Sequence, residues 1–296
     1  MTKFGHNACF TGGGSSRDPL NIAGHASPRE LLVPTFFVRT GGLVFHAPSD
    51  VIYAAPFEAS TVELAIGRIP ARNERELVSV VDKIMQYENR SYPTTSLFVA
   101  DAFDAGNSYD FASDSNGMIM SLPTDWKQAD NLSTVYLDDY ESVSAAKQAL
   151  ISKIEDGMSL VNFSGHSDFS YWTFSGLFNK NDATALNNLG LPTVVAQWGC
   201  WNNYFTSGSE SLGETLLLSE GKGAALVLGS TTLTNASRER VFVSILYEEL
   251  FKDDATIGSS FQVAKRRYRT EVGNDADMLW GLTILGDPGM RLLLLK

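Results

Sequence analysis

The apolar and polar positions of this chain fall into a regular pattern from Val62 onward. VELAIGRIP at 62–70 reads as a strand. Asn73 then opens ERELVSVVDKIMQYENR, where Leu77, Val80, Val81, Ile84, Met85 and Tyr87 approximate helical spacing behind a capping residue. This strand-then-helix alternation repeats down the chain. Apolar runs predict strands at SLFVAD (96–101), TVYLDD (134–139), MSLVNFSGH (158–166), TVVAQWGC (193–200) and GAALVLGST (223–231), and helical periodicity predicts helices over 141–154, 182–189, 210–220, 237–251 and 257–271. The strands are apolar at successive positions, as expected when helices cover both faces, so the pattern predicts an α/β fold with a largely parallel sheet. Residues 1–61 are different: rich in Gly, Pro, Ser and His, with one apolar piece at 31–38, they predict loops around one strand in front of a domain spanning 62–296.

In sheets of this kind ligands bind beyond the carboxyl ends of the strands. Two predicted strands deliver reactive side chains to that rim: LVNFSGH ends in His166 and VVAQWGC ends in Cys200. A strand-end cysteine becomes a nucleophile when backbone N–H groups and a nearby imidazole favour its thiolate. Histidine can maintain that thiolate and then protonate a departing amine. Other chemistries fit less well. Gly165-His166-Ser167-Asp168 approaches the strand-end Gly-x-Ser-x-Gly of serine hydrolases, but Phe169 stands where the second glycine belongs, and no histidine follows His166 to complete a triad. A metal site on His166, Asp168 and Cys200 lacks a second spaced ligand pair. The glycine-rich TGGGSSRD at 11–18 lacks the Gly-Lys-Ser/Thr ending of a phosphate cradle, and His6, His25 and His46 read as loop residues.

Composition narrows the classes further. In 296 residues, 34 acidic against 23 basic side chains give a formal charge of -11, which repels a nucleic-acid backbone. The basic cluster Lys265, Arg266, Arg267 and Arg269 lies in a predicted helix and reads as a solvated face. No apolar run reaches the ~20 residues of a membrane helix. The opening MTKFGHNACFTGGGSS carries neither a basic leader nor an apolar segment, so no secretory signal is read in it. Cys9 and Cys200 lie in such different contexts that each is expected to be free, and nothing predicts a homo-oligomer, so a monomer is expected.

Six segments in order, AIGRIPARNERELVSVVDKIMQYE, LFVAD, DGMSLVNFSGHSDFSYW, LPTVVAQWGCWNNYF, GAALVLGSTTLT and LWGLTILGDPGMRLLL, together resemble the gingipain-like cysteine peptidases, peptidase family C25 of the caspase-like group. The resemblance covers approximately residues 62–296, with His166 and Cys200 at matching positions. It implies a caspase-like fold, a mostly parallel sheet with helices on both faces. It also implies a cysteine endopeptidase that cleaves protein or peptide substrates through a His166–Cys200 dyad and a thioester acyl-enzyme. The N–H of Cys200, with one from Gly165 to Ser167, would form the oxyanion hole. An acid shortly after LFVAD would orient the imidazole, and Asp101 and Asp104 both qualify. An acid at the base of the primary specificity pocket has its nearest match in Asp114, which would pair with an arginine or lysine before the scissile bond, with Ser164 and Trp198 as pocket walls. No cofactor or catalytic metal is implied; relatives carry structural calcium, which the Asp and Asn loops permit without showing an EF-hand-like spacing. The family's catalytic region begins further upstream, so the chain is expected to start inside the domain and, in full-length form, to be secreted or attached to the cell surface. Relatives usually read Gly-His-Gly where this chain has Gly165-His166-Ser167. That keeps two other expectations open: a catalytically impaired scaffold that binds peptides or partners, and an acyl or amide hydrolase of small substrates.

Overall fold

A computed structural model describes residues 32–41, 44–54, 64–90, 95–206 and 208–292. His6, Cys9, His25 and the glycine-rich stretch at 11–18 lie outside the described residues. In chain order the elements are β1 (Phe36–Arg39), β2 (His46–Ser49), α1 (Val51–Ala54), α2 (Glu74–Glu88), β3 (Ser96–Ala100), α3 (Phe111–Met120), β4 (Leu132–Tyr136), α4 (Val143–Glu155) and β5 (Leu160–Ser164). There follow β6 (Tyr171–Trp172), β7 (Phe178–Asn179), α5 (Lys180–Ala185), β8 (Thr193–Trp198), α6 (Leu212–Leu218), β9 (Ala224–Ser230), α7 (Ala236–Leu250), α8 (Ile257–Glu271), α9 (Ala276–Gly281) and β10 (Leu282–Leu285).

The central sheet has six strands in the order β10-β9-β8-β5-β3-β4. All pairings are parallel except β10 on β9. Every residue of β3, β5, β8 and β9 is buried, which explains their largely apolar character. On one face Asn162, Ser164 and Trp198 look toward α3 and α7, where they meet Met118, Tyr247 and Phe242. On the other, Phe163 and Gln197 look toward Trp172, and α6 closes over them. β3 and β5 run parallel, but the order of strand addition reverses between them: the connection leaving β3 runs to α3 on one face, that leaving β5 to the β6–β7 hairpin and α5 on the other. A crevice at the carboxyl ends of these strands is the outcome such a reversal produces.

Side-chain caps set the helix starts. Asn73 Oδ1 accepts the Glu76 N–H at 3.0 Å, and reciprocal capping boxes open α5 with Asn179 and Asp182, α6 with Ser211 and Glu214, and α8 with Thr256 and Ser259.

Several sequence expectations are corrected. The strand expected at 62–70 is, in its described part, a single parallel bridge of Arg68 to Leu285, made by the Arg68 N–H to Ile284 O and the Gly286 N–H to Arg68 O. A Cβ at Gly67 would fall 2.4 Å from Gly286 O, and Pro70 follows without a donor. The N-terminal stretch carries a two-stranded hairpin, β1 with β2, in place of one strand. Helix α3 was not expected, because FASDSNGMIM is rich in residues that compete for the backbone. It forms because Asp110 caps it and Phe111, Asp114, Ser115 and Met118 bury one stripe. Lys265 is not on a solvated face: it is 2% exposed, and its ammonium donates to Leu282 O at 2.7 Å.

Arg68 ties the N-terminal hairpin to the sheet. Its Nε and Nη2 donate to the two carboxylate oxygens of Asp50 at 2.7 and 2.5 Å, its other donors reach Val33 O and Pro34 O at 3.1 Å, and the guanidinium lies 4.7 Å over the Phe205 ring. The paired side chains are only 6% and 8% exposed. Asp50→Ala is therefore predicted to cost about 3–5 kcal/mol in urea unfolding, because it leaves a buried guanidinium uncompensated, and adding Arg68→Met should recover part of that loss. A loss below about 1 kcal/mol for the single variant would show that the pair does not hold the hairpin down.

Candidate active site

Strands β5 and β8 run parallel with Ser164 opposite Trp198, and the Gly165 N–H extends the ladder to Trp198 O at 3.1 Å. His166 and Cys200 each stand two residues beyond that row. Neighbouring strands are about 4.8 Å apart, so the two residues leave the sheet side by side. The turns are also linked directly. Ser167 Oγ donates to Cys200 O at 2.9 Å and accepts from Asn202 Nδ2 at 3.3 Å, so this side chain pins one turn to the other. Gly199 makes this approach feasible: a Cβ there would lie 2.4 Å from Ser167 Oγ and 2.6 Å from Gly165 O.

The two acids that follow β3 have separate partners. Asp101 accepts the backbone N–H of Ala102 at 2.8 Å and of His166 at 3.1 Å, and so holds the histidine's main chain. Asp104 Oδ2 lies 3.0 Å from His166 Nε2 and so addresses the ring. Burial pushes Asp101 up to about 6. Burial alone would also raise Asp104, but the Asn107 side chain, the His166 ring and the Asn107 N–H together hold it below the ordinary carboxylate value. An ionised Asp104 favours a proton on Nε2 and leaves Nδ1 as the ring's second proton site. Two aromatic rings fix the imidazole plane. Phe174, from the β6–β7 turn, stacks on it at 4.6 Å and 19°, and Phe111, opening α3, meets it edge-on at 5.2 Å.

Cys200 is fully buried. The Thr234 N–H donates to its sulfur at 3.3 Å, the Thr234 hydroxyl lies 3.6 Å away, and the thiol lies 3.8 Å from Thr234 O. The next residue, Trp201, holds φ at 56°, uncommon outside glycine, and its N–H donates to Thr232 O at 3.0 Å. A buried amide network fixes this sharp turn from below. Gln197 Nε2 bonds Asn203 Oδ1 at 2.9 Å, Gln197 Oε1 receives the Trp172 indole N–H at 2.8 Å, and Asn202 bonds both Gln197 O and the Ser230 N–H.

The residues expected as a specificity pocket share the face toward α3 and α7. Ser164 Oγ lies 3.9 Å from Met118 Sδ, and Trp198 is buried with its indole N–H on Asn162 Oδ1 at 2.8 Å. Asp114 accepts from the Tyr109 hydroxyl, and burial raises it above the ordinary carboxylate value. Of the amides named for an oxyanion site, that of Gly165 is committed to Trp198 O, which leaves Ser167 and Cys200 from that set. Asp168, weighed above as a metal ligand, instead accepts the Ser170 N–H at 2.6 Å within its own turn. Among the described residues no group of three or more His, Cys, Asp or Glu side chains gathers to hold a metal ion, and no helix is long and apolar enough to cross a membrane.

Sequence reasoning missed Thr234, Phe174 and Glu239. Thr234 and Phe174 lie in loops without periodicity; Glu239 sits in SRER, where nothing singles it out. In fact Glu239 is 4% exposed beside Cys200, and its Oε1 has no hydrogen-bond partner among the described residues. Burial first, then negative charge at Cys200, raises its pKa well above the ordinary value, against the opposing pull of Thr234 and the Gly199 N–H.

A sequence model of peptidase family C25 matches residues 8–293. Lys-gingipain W83 of Porphyromonas gingivalis is 23% identical over 183 residues, which is 62% of this chain and 10% of that protein. Among solved structures, the complex of Porphyromonas gingivalis RgpB pro- and mature domains superposes with a TM-score of 0.71 at 20% identity, over 82% of this chain and 60% of that one. The Arg-specific cysteine proteinase gingipain R (RgpB) gives 0.71 at 20% identity, over 83% and 59%. The fold is thus the gingipain, caspase-like one. The chain spans about three-fifths of these solved chains and a tenth of the curated relative.

The raised Glu239 has a measurable consequence. Between the ordinary carboxyl value of 4.5 and its raised native value, the folded protein keeps a proton that the unfolded chain has released, so stability falls as pH rises through that window. The contribution is about 1.4 kcal/mol per pH unit. Glu239→Gln mimics the protonated acid, so unfolding free energies measured from about pH 5 to about pH 8 should decline less steeply in the variant than in the wild type. Equal slopes would contradict a neutral, buried Glu239.

Proposed function

We propose that this chain, which belongs to peptidase family C25, is a cysteine peptidase that cuts protein substrates through His166 and Cys200. The observation that supports the reading is the β5–β8 register, with His166 and Cys200 each two residues beyond adjacent strand ends and Asp104 Oδ2 3.0 Å from His166 Nε2.

The chemistry follows from the geometry. The Cys200 proton passes to His166 Nδ1, and Asp104 stabilises the imidazolium through Nε2. The thiolate attacks the carbonyl carbon of the scissile peptide, and its electron pair moves onto oxygen. The N–H groups of Ser167 and Cys200 receive that oxyanion; in other enzymes one such donor contributes about 3 kcal/mol. His166 then returns its proton to the departing amine, which leaves a thioester on Cys200. Water, deprotonated by the same imidazole, attacks the thioester, releases the acid product and restores the thiol. The reaction needs no cofactor. Asp114, on the face shared with Ser164 and Trp198, supports a preference for a basic residue before the scissile bond. Secretion or surface attachment goes with this reading through the family resemblance alone.

A second reading has one observation in its favour. Cys200 is fully buried, so the scaffold would serve as a peptide-binding module if its sulfur never becomes accessible.

Hydrolysis of a fluorogenic peptide library, with mass-spectrometric mapping of the products, decides between them. The peptidase reading predicts turnover that Cys200→Ala abolishes and that Asp104→Asn lowers by on the order of 10²-fold or more, since that variant removes the charge supporting the general acid–base. Binding of library peptides without any turnover would establish the non-catalytic reading.

A further inference from the structure

Asp114 does not stand open to solvent. It lies in the first turn of α3, 8% exposed, and both of its carboxylate oxygens are addressed from within the chain. The Tyr109 hydroxyl donates to Oδ2, and Arg240, in the first turns of α7, brings Nε to 3.7 Å from Oδ1. This cluster is joined to the candidate dyad from both sides. The Tyr109 ring meets Phe111 edge-on at 5.0 Å, and Phe111 meets His166 at 5.2 Å. Glu239, the neighbour of Arg240 in sequence, interacts electrostatically with both Cys200 and Asp114. The Arg240 side chain is 55% exposed while that of Asp114 is 9% exposed. The guanidinium can therefore swing into water, whereas the carboxylate stays where it is.

We propose that Arg240 is a specificity-determining residue: its guanidinium occupies, at Asp114, the charge position that an arginine or lysine of the substrate would take. A cationic substrate side chain is then accepted only by displacing Arg240, because two like charges cannot share one half-satisfied carboxylate without repulsion. Neutral side chains meet no such competition. The inference rests on the reading of Asp114 as the acid of the primary pocket. The ion pair is long and one partner is half in water, so the competition is modest, on the order of two- to fivefold in selectivity. The result is a site whose preference for basic residues is muted by its own sequence.

The test is the ratio of kcat/KM for two otherwise identical peptides, one with arginine and one with norleucine before the cleaved bond, measured for the wild type, Arg240→Gln, Arg240→Lys and Asp114→Asn. Arg240→Gln should raise the arginine-to-norleucine ratio about two- to fivefold, mainly through a lower KM for the arginyl peptide, while Arg240→Lys keeps the wild-type ratio. Asp114→Asn should lower the ratio and abolish the effect of Arg240→Gln in the double variant. If Asp114→Asn lowers the ratio but Arg240→Gln leaves it unchanged, the inference fails and the pocket reading survives. If Asp114→Asn leaves the ratio unchanged, or the wild type cleaves neither peptide, the pocket reading itself fails and takes the inference with it. Thermal unfolding of Arg240→Gln within a few degrees of the wild type excludes misfolding as the cause of any change.

Discussion

The parallel pairing of β5 on β8 is the constraint on which the rest depends. Because Ser164 faces Trp198, both strands run out at the same height, and the residue two steps beyond each is fixed as His166 on one and Cys200 on the other. A slip of one residue would move the entire apolar set of a strand to the opposite face, and buried β5 and β8 cannot tolerate that. The placement of His166 and Cys200 is therefore inherited from core packing. The turns after these strands add only local constraints: Ser167 holding the Cys200 carbonyl, Gly199 permitting the close approach, and the amides of Gln197, Asn202 and Asn203 filling the space beneath.

Charge is distributed around this frame by burial. Asp101, Asp104, Asp114 and Glu239 all sit near the carboxyl edge of the sheet, yet their surroundings give them different protonation. Asp104 is held ionised by the hydrogen bonds of Asn107 and the imidazole. Glu239, enclosed beside Cys200, is pushed well above its ordinary value, toward the neutral form. Similar residue types thus take opposite electrostatic roles through desolvation and hydrogen bonding.

Much of this was legible in the sequence where a residue's environment follows from its neighbours along the chain. The strands β3, β5, β8 and β9 announce themselves by largely apolar runs, and His166 and Cys200 stand out because two of these runs stop at a reactive side chain. The choice between Asp101 and Asp104 was not legible, since both follow the same strand and only their reach distinguishes a main-chain from a ring contact. Helix α3 was hidden by its Ser, Asp, Asn and Gly content; the burial of Phe111 and Met118 outweighs that propensity. Lys265 misled because charged residues at helical spacing read as a solvated face, and Glu239 carried no signal at all; only tertiary packing shows that these two point inward.

The most direct test of the dyad is the rate of alkylation of Cys200 by iodoacetamide as a function of pH, in a Cys9→Ser background with and without His166→Ala. A thiol paired with an imidazole should react well below the pH near ~8.5 at which an ordinary cysteine ionises, and removing the imidazole should move the profile up toward that ordinary range. Superimposable profiles with and without His166 would show that the two side chains, though delivered to neighbouring strand ends, do not exchange a proton.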